Sequence, residues 1–157
     1  MSGLSGLIAV PEGFLMNSTI FRDFATLVAR IGLGIIFIAH GWQKLNTNGL
    51  DATKAGFEGM GVPLPAVSAY FATFVELIGG IALVAGIFTP IIGILLFLDM
   101  LGAFLFVHYD LGVFVSEGGY ELVLALGVGS LLLAAVGAGR FSLDGVFGGK
   151  TSFAKAR

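Results

Sequence analysis

The stretch Tyr70–Phe88, YFATFVELIGGIALVAGIF, decides how the rest of the chain is read. It is long and apolar enough to cross a bilayer core, which takes roughly 20 residues of helix. Glu76 stands in its middle. A carboxylate at that depth is expensive unless it faces protein or water. The segment is therefore expected to belong to a bundle with a polar interior.

Composition agrees with a membrane setting. Of 157 residues, 57% are hydrophobic and only 11% charged, against about 25% charged in a soluble domain. Mean hydropathy is +1.00. There is no cysteine, which excludes disulfides, thiolate metal sites and thiol redox chemistry by this chain alone. A net charge of -2, with no basic stripe, gives no footprint for nucleic acid.

Four stretches have the length and apolarity of spans: Phe24–Leu45, Ala66–Phe88, Pro90–Tyr109 and Tyr120–Ala138. The expected fold is all-α, a polytopic four-transmembrane-helix bundle over residues 24–139. Residues 1–23 read as an interfacial or irregular N-terminal arm, because Pro11 and Glu12 break its short apolar run and no positive region precedes it. Residues 140–157 read as a polar cytoplasmic tail. Pro90 suits the first turn of the third span, where a missing N–H costs nothing, so spans two and three form a tight hairpin. The first loop, NTNGLDATKAGFEGMGVPLP, has the pattern of a short interfacial helix ended by Gly61 and Pro63. Arg22, Arg140, Lys150, Lys155 and Arg157 fall on the side of the termini, with Lys44 and Lys54 on the other, so both termini are expected in the cytoplasm. Small residues inside the spans, such as Ser130, Ala134 and Ala138, permit close helix packing.

Depth then sorts the ionisable residues. Glu76 and Asp99 lie near the middles of spans two and three, at nearly equal depth. Arg30 lies in the half of span one nearer the termini and His40 in the other half. Steps of three and four from Glu76 meet Ala69, Ala72, Thr73, Gly79 and Gly80, a packing face that turns the carboxylate inward. The same steps from Arg30 meet Gly34, Phe37, Gly41 and Lys44. The expectation is an inward cluster of Arg30, Glu76 and Asp99, with Glu76 touching Arg30 or His40. Two close carboxylates resist simultaneous ionisation, so such a cluster holds or shares a proton, which suits quinone, proton or weak-acid chemistry. A purely structural network is the competing reading.

Lys44, His108 and Glu121 are secondary polar residues at the outer side. His108 is nine residues beyond Asp99 and shallower than His40, so the two histidines do not meet the one-depth, one-cavity condition of bis-histidine haem. A hydrogen bond near Tyr109 and Asp110 is expected for His108 instead, and a dipole-favoured position at a helix N-terminus for Glu121. No metal site is indicated, and hydrolase, P-loop and dinucleotide signatures are missing.

These segments have a family likeness. An arginine early in span one, the H-G-x-x-K of His40, Gly41 and Lys44, and the E-x-x-G-G of Glu76, Gly79 and Gly80 come in a set order. Gly119, Tyr120 and Glu121 before span four, and GRFSLD after it, complete the set. Together they resemble the DoxX/DoxD family of small four-helix membrane proteins, from Arg30 to Asp144. The resemblance implies a subunit associated with a redox or respiratory-chain complex in a bacterial-type cytoplasmic membrane. Family members are linked to quinone-coupled sulfur oxidation, where DoxD and DoxA form a thiosulfate:quinone oxidoreductase, and to complexes that handle oxidative stress. Two functions stay open on this reading. The chain contributes a quinone or proton site to an oxidoreductase it does not complete alone, or it is an accessory or assembly subunit whose polar cluster is structural. The implied partners are the bilayer and other membrane or redox-complex subunits, with homo-oligomerisation left open. Quinone is the candidate ligand, and no covalent cofactor is implied.

Overall fold

A computed structural model describes residues 12–147, all helix and connecting loop with no strand among them. Helix α1 is Glu12–Trp42 and runs on into a wide π-type turn, Gln43–Thr47. Helix α2 (Leu50–Gly59) follows in the first loop. Then come α3 (Pro65–Ala85) and α4 (Thr89–Ala103), the latter extended by a π-type turn at Phe104–His108 and a tight turn at Tyr109–Leu111. A short 3-10 turn at Val115–Glu117 leads to α5 (Glu121–Val136) and a final α6 (Leu143–Phe147). The first helix begins at Glu12, so residues 12–23 extend α1 where sequence alone suggests an interfacial or irregular arm. Residues 1–11 of that arm, and the tail from 148 on, lie outside the described residues.

Three of these helical stretches, Ser18–Thr47, Pro65–Ala85 and Thr89–Leu111, are long and apolar enough to cross a membrane. Helix α5 is equally apolar but shorter; its 16 residues span about 24 Å at 1.5 Å per residue, against about 30 Å of hydrocarbon. The four long helices pack in a ring in the order α1, α3, α4, α5, with α1 most extensively on α3 and α4 on α5. The start of the α1 span and the segment after α5 meet at one pole of this ring. There the Arg140 amide donates to Asp23 Oδ1 at 3.4 Å. The α1–α3 and α4–α5 loops gather at the opposite pole.

The distribution of polarity is that of a protein solvated by lipid. The outer faces carry Ile31, Ile35, Phe74, Ile78, Ile81, Ile91, Ile94 and Leu132, all well exposed. The interior holds a small apolar core of Phe37, Leu83, Leu96, Met100, Leu126 and Leu133. Beside it are buried Asp23, Arg30, Thr73, Glu76, Thr89, Asp99 and Ser130. With no hydrophobic drive between helices in lipid, close packing and interhelical hydrogen bonds hold such a bundle. The buried hydroxyls of Thr73 and Ser130 are satisfied within their own helices, by Ala69 O and Leu126 O.

Glycine sets the α1–α3 register. A Cβ at Gly34 would lie 2.7 Å from Gly80 O, and one at Gly41 would lie 2.5 Å from Leu77 N, so only glycine lets these backbones meet. The α3–α4 hairpin turns through Gly86, at φ 70, with Pro90 in the first turn of α4 as its sequence position predicts. Ser130 and Ala134 form the close α5 contact with α4 at Gly93.

Candidate functional site

At the loop pole the helices diverge around a cavity of about 530 Å³. Phe37, Phe57, Met60, Phe71, Met100 and Leu126 are among its apolar walls, and His40, Lys44, Glu76, Asp99 and His108 also line it. An apolar pocket with a few convergent polar groups is the usual form of a small-molecule site.

The centre of the site is an ion pair. Lys44 Nζ donates to Glu76 Oε2 at 2.6 Å, with the side chains 19% and 5% exposed. Lys44 sits in the π-type turn that ends α1 and leans back toward the bundle. Thr53 Oγ1 of α2 hydrogen-bonds Lys44 O at 3.1 Å and Gly49 O at 3.0 Å, fastening the roof helix to that turn. Asp99, on α4, interacts electrostatically with both members of the pair. Its Oδ2 is buried with no hydrogen-bond partner among the described residues. Two carboxyl groups thus stand near one ammonium, which donates to Glu76.

Both histidines are tied by one nitrogen. His40 Nδ1 is 2.9 Å from Ile36 O, and His108 Nδ1 is 2.5 Å from Gly118 O. A carbonyl only accepts, so Nδ1 carries the proton in each ring, and a neutral ring keeps Nε2 as an acceptor. Sequence separation suggested that the two histidines occupy different depths, yet both border this cavity. The cavity runs from Asp99 out to the loop pole, so side chains at two depths border it, and the 113–119 loop holds His108 there through Gly118. The partner of His108 is Gly118, across that loop, not the neighbouring Tyr109 or Asp110.

Arg30 does not join Glu76 and Asp99. It lies at the pole of the termini, 0% exposed. There it donates to Leu83 O at 3.5 Å and to Phe141 O. The α1–α3 register explains the separation. Gly41 lies against Leu77, which puts the level of Glu76 about 18 Å along α1 from Arg30 at 1.5 Å per residue. Arg30 instead organises the GRFSLD turn. Phe141 O receives its guanidinium, Ser142 Oγ donates to Gly139 O at 2.6 Å, and Asp144 N donates to Gly86 O at 3.0 Å. Asp144 Oδ2 accepts from Thr89 N at 3.3 Å, capping α4 from outside that helix. Glu121 also stands apart: its Oε1 accepts from Val115 N at 2.7 Å and braces the loop before α5.

Lys44 is the residue whose role the sequence reading missed. Its place on the Arg30–Gly34–Phe37–Gly41 face was visible, but its inward reach was not. Among the described residues no group of three or more His, Cys, Asp or Glu side chains is placed to hold a metal ion.

Apolar outer faces, a small-residue interior and an ion pair beside a cavity together define a helical membrane protein with a polar group buried inside its bundle. The chain belongs to the DoxX family, whose profile matches residues 25–109. It is 35% identical over 129 residues to a Bacillus subtilis (strain 168) protein named "Putative oxidoreductase CatD", covering 82% of this chain and 91% of that one. Two Escherichia coli (strain K12) proteins are also similar. Inner membrane protein YphA is 29% identical over 140 residues (82% of this chain, 99% of the relative), and inner membrane protein YqjF 35% over 127 (78% and 92%). No solved structure matches the chain.

Proposed function

We propose that this protein is an integral subunit of a quinone-linked redox complex, and that the loop-pole cavity binds the quinone head. The supporting observation is the Lys44–Glu76 pair with Asp99 beside it, set into a cavity of about 530 Å³ with apolar walls. Lys44 supplies a donor for a quinone carbonyl. The Nε2 atoms of His40 and His108 supply acceptors for quinol hydroxyls, and the Glu76–Asp99 carboxyl pair holds a proton for exchange. Reducing a quinone to quinol takes two electrons and two protons. The protons come through these side chains, and the electrons come from a partner subunit that carries a redox centre. The relative named as an oxidoreductase supports the redox setting.

In the same reading α5 is a fourth crossing, since it runs from the loop pole to the pole of the termini. The membrane is a bacterial inner membrane, as the names of two relatives state for those proteins. Both termini face the cytoplasm, by the surplus of Lys and Arg on their side.

An accessory or assembly role is the second reading. It is favoured by the fact that the Lys44–Glu76 pair also joins α1 to α3. Purification in mild detergent, followed by extraction of bound quinone and identification of co-purifying subunits, separates the two. Under the first reading, wild-type protein retains quinone, while Glu76→Gln folds normally and loses it. Wild-type protein that carries no quinone and binds none would leave the accessory reading.

A further inference from the structure

Among the described residues, six apolar ones lie both on the wall of the cavity and on the outer surface: Met60 beyond α2, Val115 in the loop before α5, Leu122 at the start of α5, and three along α3 and α4. Phe71 of α3 is 41% exposed, Leu98 of α4 49%, and Phe106, just beyond α4, 50%, and all three line the cavity. A residue that faces both ways makes a wall one side chain thick. These three flank the seam between α3 and α4.

The hairpin geometry puts the thinnest point at one level. Near its closed end the hairpin is well packed: a Cβ on Gly79 would meet Ile92 and Leu96 at 3.4 Å, ordinary contact distance. About eight residues back along α3 is Phe71, and the same step forward along α4 reaches Gly102 and Ala103, so these face each other at one depth. Gly102 lines the cavity, and a Cβ built on it would meet nothing within 4 Å. The seam at this level is a phenyl ring set against two very small residues, with open space beside it. Gly102 also lies one turn from Asp99, whose Oδ2 is buried with no hydrogen-bond partner among the described residues.

We propose that the cavity is entered sideways from the lipid, through the α3–α4 seam between Phe71 and Gly102. Its ligand is then an amphiphile. The polar head reaches the Lys44–Glu76–Asp99 group, and the apolar tail leaves through the seam into the leaflet on the loop side. This rests on the reading of the cavity as a quinone-head site, and adds to it the route and the need for a tail. An aqueous approach past α2 and the 113–119 loop would place no demand on a tail.

Two probes sharing one head separate these cases: 2,3-dimethoxy-5-methylbenzoquinone, and the same ring bearing a ten-carbon tail. Binding to the full chain in detergent is followed by saturable quenching of the single tryptophan, Trp42. Wild-type protein is expected to bind both, the tailed probe about tenfold or more tightly. Gly102→Phe fills the open space in the seam. Its loss of affinity for the tailed probe should exceed its loss for the tail-less head by at least tenfold. If Gly102→Phe lowers the melting temperature, Gly102→Leu carries the same expectation. Equal binding of the tailed probe by wild type and the seam variants would overturn lateral entry while leaving the head site standing. Saturable quenching by neither probe in wild type would remove the head site, and this inference with it.

Discussion

The Lys44–Glu76 pair can be weighed by a double-mutant cycle of Lys44→Met and Glu76→Leu. At 2.6 Å, with Glu76 almost wholly out of contact with the surroundings, the pair has the geometry of a buried ion pair. Removing one partner of such a pair in a soluble interior costs roughly 3–5 kcal/mol. Interhelical polar couplings in membrane proteins are smaller, averaging about 0.6 and reaching about 1.7 kcal/mol. Two features of this site set the expectation. Lys44 keeps 19% exposure, so water relieves part of the loss. The neighbouring Asp99 lets the site take up a proton when Lys44 is removed. Each single substitution is therefore expected to cost roughly 2 kcal/mol, with a coupling of about 1.5 kcal/mol, near the top of the membrane range. The double variant should then lose roughly 2.5 kcal/mol, well short of the additive value. Thermal unfolding in detergent reads this out as a fall of about 4–8 °C for Lys44→Met, at about 2–4 °C per kcal/mol for a chain of this size. Full additivity, with a coupling under about 0.3 kcal/mol, would refute the claim that the two side chains interact across the α1–α3 interface.

Three further outcomes follow from the pole of the termini and from topology. Arg30→Met removes the guanidinium that holds Leu83 O and Phe141 O; at about 1.5–3 kcal/mol per hydrogen bond to a charged donor, it should lower stability by roughly 3 kcal/mol and expose the GRFSLD turn to trypsin at Arg140, measured by limited proteolysis. Gly86→Ala forces a side chain onto a backbone at φ 70 and into the space of the Arg30 guanidinium; its cost should exceed about 1 kcal/mol, whereas Gly56→Ala, in open space on α2, should be neutral or stabilising. Because the chain has no cysteine, single cysteines at Thr47, Ser116 and Ser152 report sidedness, and an impermeant thiol reagent on intact cells should label the first two only; labelling of Ser152→Cys alone would reverse the orientation.

How much of this was legible in the sequence depends on the kind of interaction. Apolar runs bounded by Gly86 and Pro90 specify two helices and a tight turn, because proline, glycine and span length act locally. The short helix at Leu50–Gly59 was legible for the same reason. So was the inward orientation of Glu76: a helix repeats every 3.6 residues, and the small residues around Glu76 mark its packed face. What helical periodicity does not contain is the sliding register of one helix against another. Arg30 and Lys44 share a face of the first span, and the expected partner of Glu76 was Arg30 or His40, not Lys44. The choice was made by Gly41 seating against Leu77 and Gly34 against Gly80, contacts between residues far apart in the chain. That seating carries Arg30 to the GRFSLD turn at one pole and leaves Lys44 within reach of Glu76 at the other. Likewise, the two histidines border one cavity because the 113–119 loop folds back on His108, a contact between separate segments. The sequence by itself determined that charges would be buried in this membrane protein and that Glu76 would face the bundle. Only the tertiary structure decided which of them meet, because contact between helices is set by where backbones can approach, and that is a property of pairs of surfaces and not of either helix alone.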